Sequence, residues 1–240
     1  GALVGAMAAL LAMDGFTGAP AITVEADDVE DCWSDLGKLW TVEHNYIKPY
    51  PICRWAHAAL DALSGLMRDH GFSAGDVTRI EVNTFSEAAA LFPGMPATTS
   101  QAQYSLPFAL AVMLVHGRIG PGHISGTALN DPKVAEVLAL IAVREEDRHS
   151  NCFPGGRWSD LTVTLKDGTR LASGDVHARG GPEAPMDQSE IEAKFRVMTA
   201  ALPEPRVTAL WEMRERLLQP EAKFSELAQL VRAPVEENHV

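Results

Sequence analysis

Apolar and polar positions recur along this chain with two periods, and the changes of period mark its elements. Trp55 to His70 follows the helical period and stops at Gly71, which predicts a helix ended by a glycine. Val77 to Phe85 predicts a strand whose apolar residues are Val77, Ile80 and Val82. Gln101 to His116 is apolar almost throughout. It predicts one long helix ended by Gly117, with Pro107 in its first turn or at a bend. Asp131-Pro132 supplies an N-cap and a first helical residue, and Val134, Val137, Leu138 and Ile141 mark the buried stripe that follows. Leu161, Val163 and Leu165 alternate with polar residues. Asp167-Gly168 and Leu171 come next, which predicts a hairpin with a primed turn. Beyond Met186 the period is helical again. Ser189 and Glu192 read as a capping box, and Ile191, Phe195, Met198 and Leu202 line one face. Pro203 and Pro205 interrupt; Leu210, Met213 and Leu217 then continue on a second helix. A last short helix holds Leu227, Leu230 and Val231, and the final residues are expected to fray.

The opening run, GALVGAMAALLAM, is apolar on every side, which predicts a helix buried all round. It lacks the basic leading region of a signal peptide, and its 13 residues fall short of the roughly 20 needed to cross a bilayer. A buried helix with nothing before it, and no leading Met, reads as the interior of a larger protein. A loop with Gly15, Gly18 and Pro20 follows. Thr23 to Asn45 then carries seven acids and one base, Lys38, and reads as a solvated face. These shifts divide the chain into helical residues 1–45, a mixed block over 46–185 and helices over 186–240. The fold class is therefore α+β, with helical segments at both ends flanking an inserted α+β block that holds an antiparallel sheet.

Composition narrows the function. The 240 residues carry 20 Lys+Arg against 32 Asp+Glu, a net charge of −12, with 46% hydrophobic residues. That mix excludes a disordered or collagen-like chain and suffices to bury a core in one or two domains. The acid excess argues against a nucleic-acid surface, which needs clustered Lys and Arg, but leaves room for a small anion in a local cationic pocket. Cys32, Cys53 and Cys152 are odd in number and widely spaced. They argue against a disulfide framework or structural zinc site and fit a reducing, cytoplasmic location. There is no P-loop, Gly-x-Ser-x-Gly or His-Glu-x-x-His. The glycine-rich stretch from Gly120 to Gly126 follows a helix rather than a strand and reads as a loop.

One segment gathers chemistry: Lys48-Pro-Tyr-Pro-Ile-Cys-Arg-Trp-Ala-His57, which contains no acid. Pro49 and Pro51 force an extended path. A helix begins near Arg54 or Trp55, so Cys53 and Arg54 meet its N-terminus, where free amides and the dipole favour carboxylates. Arg54 can clamp a carboxylate with two parallel bonds. Lys48 can neutralise a second one or stabilise an enolate. Cys53 supplies a thiol in that field, and a histidine such as His57 ordinarily titrates near neutrality and suits proton transfer. Each residue alone has an ordinary structural explanation; the argument rests on their concentration.

Lys48 to His57 resembles the Lys-x-Tyr-Pro-x-Cys-x-x-x-His signature of the MmgE/PrpD family, which includes 2-methylcitrate dehydratase, cis-aconitate decarboxylase and iminodisuccinate epimerase. Ala102-Gln-Tyr-Ser-Leu-Pro-Phe-Ala109 is similar to the family's Ala-Gln-Phe-Ser-Leu-Pro-Tyr segment. Gly181-Pro-Glu-Ala-Pro185, with Ser189 and Lys194-Phe195, resembles its return into a helical domain, and Ala8 to Gly18 the end of its N-terminal domain. The resemblance covers nearly the whole chain as the family's C-terminal half. It implies a large helical domain, built from both ends of the chain, and a smaller two-layer α+β lid enclosing a cleft. It also implies a homodimer that needs no metal or other cofactor, while the charge balance, the short apolar run and the free cysteines argue for a cytoplasmic protein without a nucleic-acid or membrane partner.

The chemistry so implied is removal of a proton α to a carboxylate of a small di- or tricarboxylate, as in propionate catabolism. Loss of water, loss of CO₂ or epimerisation follows. Lys48, His57 and Cys53 then stand as catalytic residues, with Arg54, Tyr50, Tyr104, Ser105 and Phe108 binding substrate. In the decarboxylase branch a histidine takes the place of Cys53. Phe108 stands where the family frequently has a tyrosine, so a hydroxyl is missing, and Tyr104 is not in register to replace it. The family's histidines from the helical domain would lie before Gly1, so a missing N-terminal helical domain is an expected partner. The rival expectations are a non-catalytic carboxylate-binding module and a structural lid that needs a separate helical chain.

Overall fold

The chain divides into two units, Gly1–His44 and Asn45–Val240, and a computed structural model describes residues 1–234. The expected fraying of the last residues lies outside the described residues. In the first unit α1 spans Ala2–Met13, as its apolar run requires, but none of its residues is buried. The expectation of a helix buried all round is corrected there. The rest of that unit is α2 (Ile22–Glu25) and two 3-10 turns, Asp27–Trp33 and Thr41–His44, none with a buried residue. Elements so short cannot wrap a helix that is apolar on all sides. The acids from Glu25 to Glu43 are exposed apart from Asp35, as a solvated face demands.

In the second unit a 3-10 turn at Arg54–Ala56 leads into α3 (His57–His70), which ends at Gly71 with φ +67°. Strand β1 (Val77–Thr84) follows, then α4 (Ser86–Ala89), α5 (Thr99–Gln103) and α6 (Leu106–His116). The single long helix expected over 101–116 is therefore two. Ser105 caps the second by accepting from the Phe108 amide at 3.3 Å, and Pro107 sits in that helix's first turn. The chain turns because a capping serine and a proline together start a helix better than they continue one.

Helix α7 (Pro132–Leu138) begins at Asp131, whose carboxylate accepts from the Lys133 amide at 2.9 Å. Ile141, expected on that helix, opens strand β2 (Ile141–Glu145) instead. β2 pairs parallel with β1, Ile80 standing opposite Ile141. After α8 (Asp147–Ser150), strand β3 (Trp158–Leu165) pairs antiparallel with β1 on its other side. β4 (Arg170–Ala172) and β5 (Val176–His177) both pair antiparallel with β3. The sheet is thus mixed, with order β2-β1-β3-β4, rather than wholly antiparallel. The β3–β4 turn also differs from the expected primed type. Only Gly168 has positive φ there, and the Gly168 amide donates to Leu165 at 3.0 Å. Asp167, with a Cβ, keeps negative φ and leaves the left-handed position to glycine.

One face of the sheet builds the core. Ile80, Val82, Leu161 and Val163 are fully buried with Leu60 and Leu63 of α3 and Leu106, Phe108 and Leu110 of α6. Truncating any one of these leucines to alanine costs about 2–5 kcal/mol. Three helices complete the unit: α9 (Gln188–Met198), α10 (Glu204–Arg216) and α11 (Phe224–Arg232). The capping box of α9 is Asp187 with Glu190, two residues before the expected pair, because Asp187 accepts from the Glu190 amide and Glu190 from the Asp187 amide.

Candidate functional site

The proline-stiffened segment from Lys48 to Cys53 is fastened at both ends by backbone bonds. The Ile47 amide donates to the Gly180 carbonyl at 2.8 Å, and the Cys53 amide to the Gln103 carbonyl at 2.8 Å. The second bond joins Lys48–His57 to the Ala102–Ala109 segment. The first depends on glycine. Gly180 has φ +95°, and a Cβ there would stand 2.2 Å from the Ile47 carbonyl oxygen.

Lys48 and His57 converge on one atom. Lys48 Nζ donates to the Ile52 carbonyl at 3.2 Å, and His57 Nε2 lies 3.3 Å from the same oxygen. A carbonyl only accepts, so the hydrogen-bond network assigns the proton to Nε2. His57 Nδ1 is left buried without a partner. The imidazole is 0% exposed and meets the Tyr50 ring edge-on at 5.2 Å. Burial drives its pKa from 6.5 down to about 3; the Ile52 bond opposes this, while Lys48, Arg54 and Lys194 reinforce it. The expectation of a histidine titrating near neutrality is corrected here. His57 stays neutral because it is dry and every charge acting on it is a cation.

Arg54 is buried, its guanidinium 3.9 Å over the Tyr46 ring. Its Nε has no partner. Gly181 lets the backbone come against it, since a Cβ there would meet Arg54 Nη2 at 2.9 Å and Glu183 Oε2 at 2.7 Å. Cys53 is half-buried with a free thiol and caps the 3-10 turn by position. Tyr104 is exposed, Ser105 is buried with its hydroxyl on the α6 cap, and Phe108 lies wholly inside the core. The structure thus joins Lys48, Tyr50 and His57 closely, and holds Cys53 beside the second segment.

Tyr50 also belongs to a network that sequence reading missed. Its hydroxyl donates to Asp61 Oδ1 at 2.7 Å, and Arg179 Nε donates to the same oxygen at 3.0 Å. Arg179 then pairs with Glu190. Burial and Asp61 push the Tyr50 phenol well above its ordinary range, so it remains a hydrogen-bond donor. Arg179 lies 118 residues from Asp61, and no local pattern announces such a pair. The doublet Gly180-Gly181 was the one available signal, marking a close backbone approach.

Beside this network opens a cavity of about 310 Å³. Pro49, Tyr50 and Pro51 form one wall, α9 another through Glu190 and Lys194, and the loop Gly117–Gly120 a third. Lys48, Cys53, Arg54 and His57 do not line it.

Among the described residues, His149, Asp160 and Asp175 form a donor set of the kind that ligates metals. Arg148, however, bonds to both carboxylates, and Asn83 Nδ2 donates to Asp160 at 3.0 Å. The cluster is already a matched ion network. Among the described residues no helix is long and apolar enough to cross a membrane.

The model of one protein family, the MmgE/PrpD C-terminal domain, matches residues 50–219. No curated protein matches the chain.

Proposed function

The chain belongs to the MmgE/PrpD family by its C-terminal domain, and from that premise we propose that it serves a lyase acting on a small di- or tricarboxylate of the 2-methylcitrate kind. The reaction is loss of water after removal of the proton α to a carboxylate, without a cofactor; decarboxylation and epimerisation are the alternative outcomes. The observation that carries this reading is the meeting of Lys48 and His57 on the Ile52 carbonyl, in a segment without acids.

Each residue has a role that its surroundings support. Removing an α-proton places negative charge on the carboxylate and its neighbouring carbon, and a fixed ammonium stabilises that charge as it develops. Lys48 is that ammonium. The Ile52 carbonyl takes one of its three donors and leaves others for substrate. His57, held neutral, orients the Ile52 carbonyl and thereby Lys48, so it is a positioning residue. Arg54 is the cation assigned to a second carboxylate, its guanidinium held over the Tyr46 ring. Cys53 and Tyr50 border the same segment, while Tyr104 and Ser105 are the polar groups of the segment hydrogen-bonded to it. The base comes from a helical domain that this domain closes against, in a cytoplasmic homodimer.

Turnover of 2-methylcitrate, cis-aconitate and iminodisuccinate by the full protein tests the reading. Lys48→Ala is expected to lower kcat/KM by a factor of about 100 or more, equivalent to the 2.7–4 kcal/mol typical of one lost charge-stabilising donor. An active enzyme indifferent to Lys48→Ala removes Lys48 from the mechanism. A second reading, a carboxylate-binding module without chemistry, is favoured by the buried Phe108 in place of a hydroxyl-bearing tyrosine. Calorimetric binding of dicarboxylates without turnover selects it.

A further inference from the structure

We infer that the cavity between Pro49–Pro51, the Gly117–Gly120 loop and α9 binds a small aliphatic carboxylate, with Lys194 as its anchoring cation. The choice of ligand class rests on the lyase reading; the site rests on the cavity itself. At about 310 Å³ the space falls at the small end of ligand pockets, which suits a metabolite of a few carbons. Its walls are largely apolar, with Met113, Ile119, Met186 and Val197 facing an aliphatic backbone. Its charged groups are unevenly committed. Arg179 and Glu190 neutralise one another, and Arg179 also holds Asp61. Arg118, exposed on the loop, and Lys194, half-buried on α9, have no paired carboxylate among the described residues, and the neighbouring charge that acts on Lys194 is another ammonium, Lys48.

That arrangement is unfavourable when empty. Lys194 is half-buried, and both burial and Lys48 work against its charge, lowering its pKa. An anion in the cavity answers both at once, because it replaces lost hydration and screens the two ammonium groups from each other. The Tyr50–Asp61–Arg179–Glu190 network keeps the wall rigid, so Lys194 is presented against a fixed surface rather than a mobile loop. Lys194 is therefore a carboxylate-binding residue of a cavity that lies beside the Lys48 segment and apart from the groups assigned to the reaction.

Calorimetric titration of the full chain with citrate at fixed ionic strength tests this. Lys194→Gln removes the charge and keeps a polar side chain one atom shorter; Lys194→Arg restores the charge; Lys166→Ala, on the β3–β4 turn, is the remote control. Citrate affinity is expected to fall about 10-fold or more in Lys194→Gln, to stay within about three-fold in Lys194→Arg, and to be unchanged in Lys166→Ala. Lys194→Met repeats the measurement should the Gln variant unfold by circular dichroism. Equal affinity of the wild type and a folded uncharged variant overturns the proposal, as does a folded wild type that binds no citrate. Turnover separates this inference from the reading it rests on. Lys194-dependent citrate binding without turnover of any of the three carboxylates keeps the cavity and removes the lyase. Turnover together with citrate affinity unchanged in Lys194→Gln keeps the lyase and removes the cavity.

Discussion

Tyr50 touches two groups of side chains that solve the problem of buried charge in opposite ways. Its hydroxyl joins Asp61, Arg179 and Glu190, where two cationic or donor groups meet two carboxylates and every charge has a partner. Its ring stands against His57, whose charged neighbours are Lys48, Arg54 and Lys194, all cations. The closed group holds the 50s segment to the chain around residue 179 and supports the fold. The open group leaves an ammonium, a buried guanidinium nitrogen and an imidazole nitrogen short of partners. Natural proteins tolerate such arrangements mainly where a ligand completes them.

Three measurements break or sharpen this contrast. The largest effect is expected from acid. His57 has a folded pKa of about 3 against 6.5 unfolded, so below 6.5 the unfolded chain binds a proton that the folded chain refuses. Its contribution is fully present above pH 6.5 and is lost as pH falls toward 3, up to about 5 kcal/mol in all. Urea midpoints between pH 7 and pH 4 are expected to fall, and a His57→Gln variant to lose much of that slope. An unchanged slope in the variant shows that the acid sensitivity belongs to other groups.

The second effect comes from opening the closed network. Asp61→Ala leaves the Tyr50 hydroxyl and Arg179 without their shared carboxylate and is expected to cost about 3 kcal/mol by denaturant unfolding. A cost below about 1 kcal/mol marks the network as ornamental. The smallest effect is expected from the open cluster: Lys48→Met removes a single bond to a carbonyl and relieves its repulsion with Lys194. Stability is expected to change by less than about 1 kcal/mol even as activity is lost. A large destabilisation there assigns Lys48 to the fold rather than to a ligand.

The elements were legible to different degrees for physical reasons. Helix α3 with Gly71, helix α7 with Asp131, and strands β1 and β3 follow from period and from caps, which are local. The break at Ser105 was hidden because an apolar run carries no sign of where its backbone bends. Ile141 fits the helical period by its spacing from Val137, yet it begins a strand paired with β1. The apolar run that became α1 shows the same limit: composition predicted its helix, but burial depends on what lies beside it.

The site divides along the same line. By itself the sequence determined that Lys48, Tyr50, Cys53, Arg54 and His57 share a stiff stretch without acids, entering a helix. Proline and helix-start chemistry act over a few residues and can be read there. Only the tertiary structure decided which of those groups found partners. Asp61 and Arg179 meet across 118 residues, Lys194 arrives on a helix far along the chain, and His57 is fully buried at the start of a helix that packs on β3 and α6. Charge is a property of a residue, whereas the energy of that charge depends on burial and on neighbours brought by the fold.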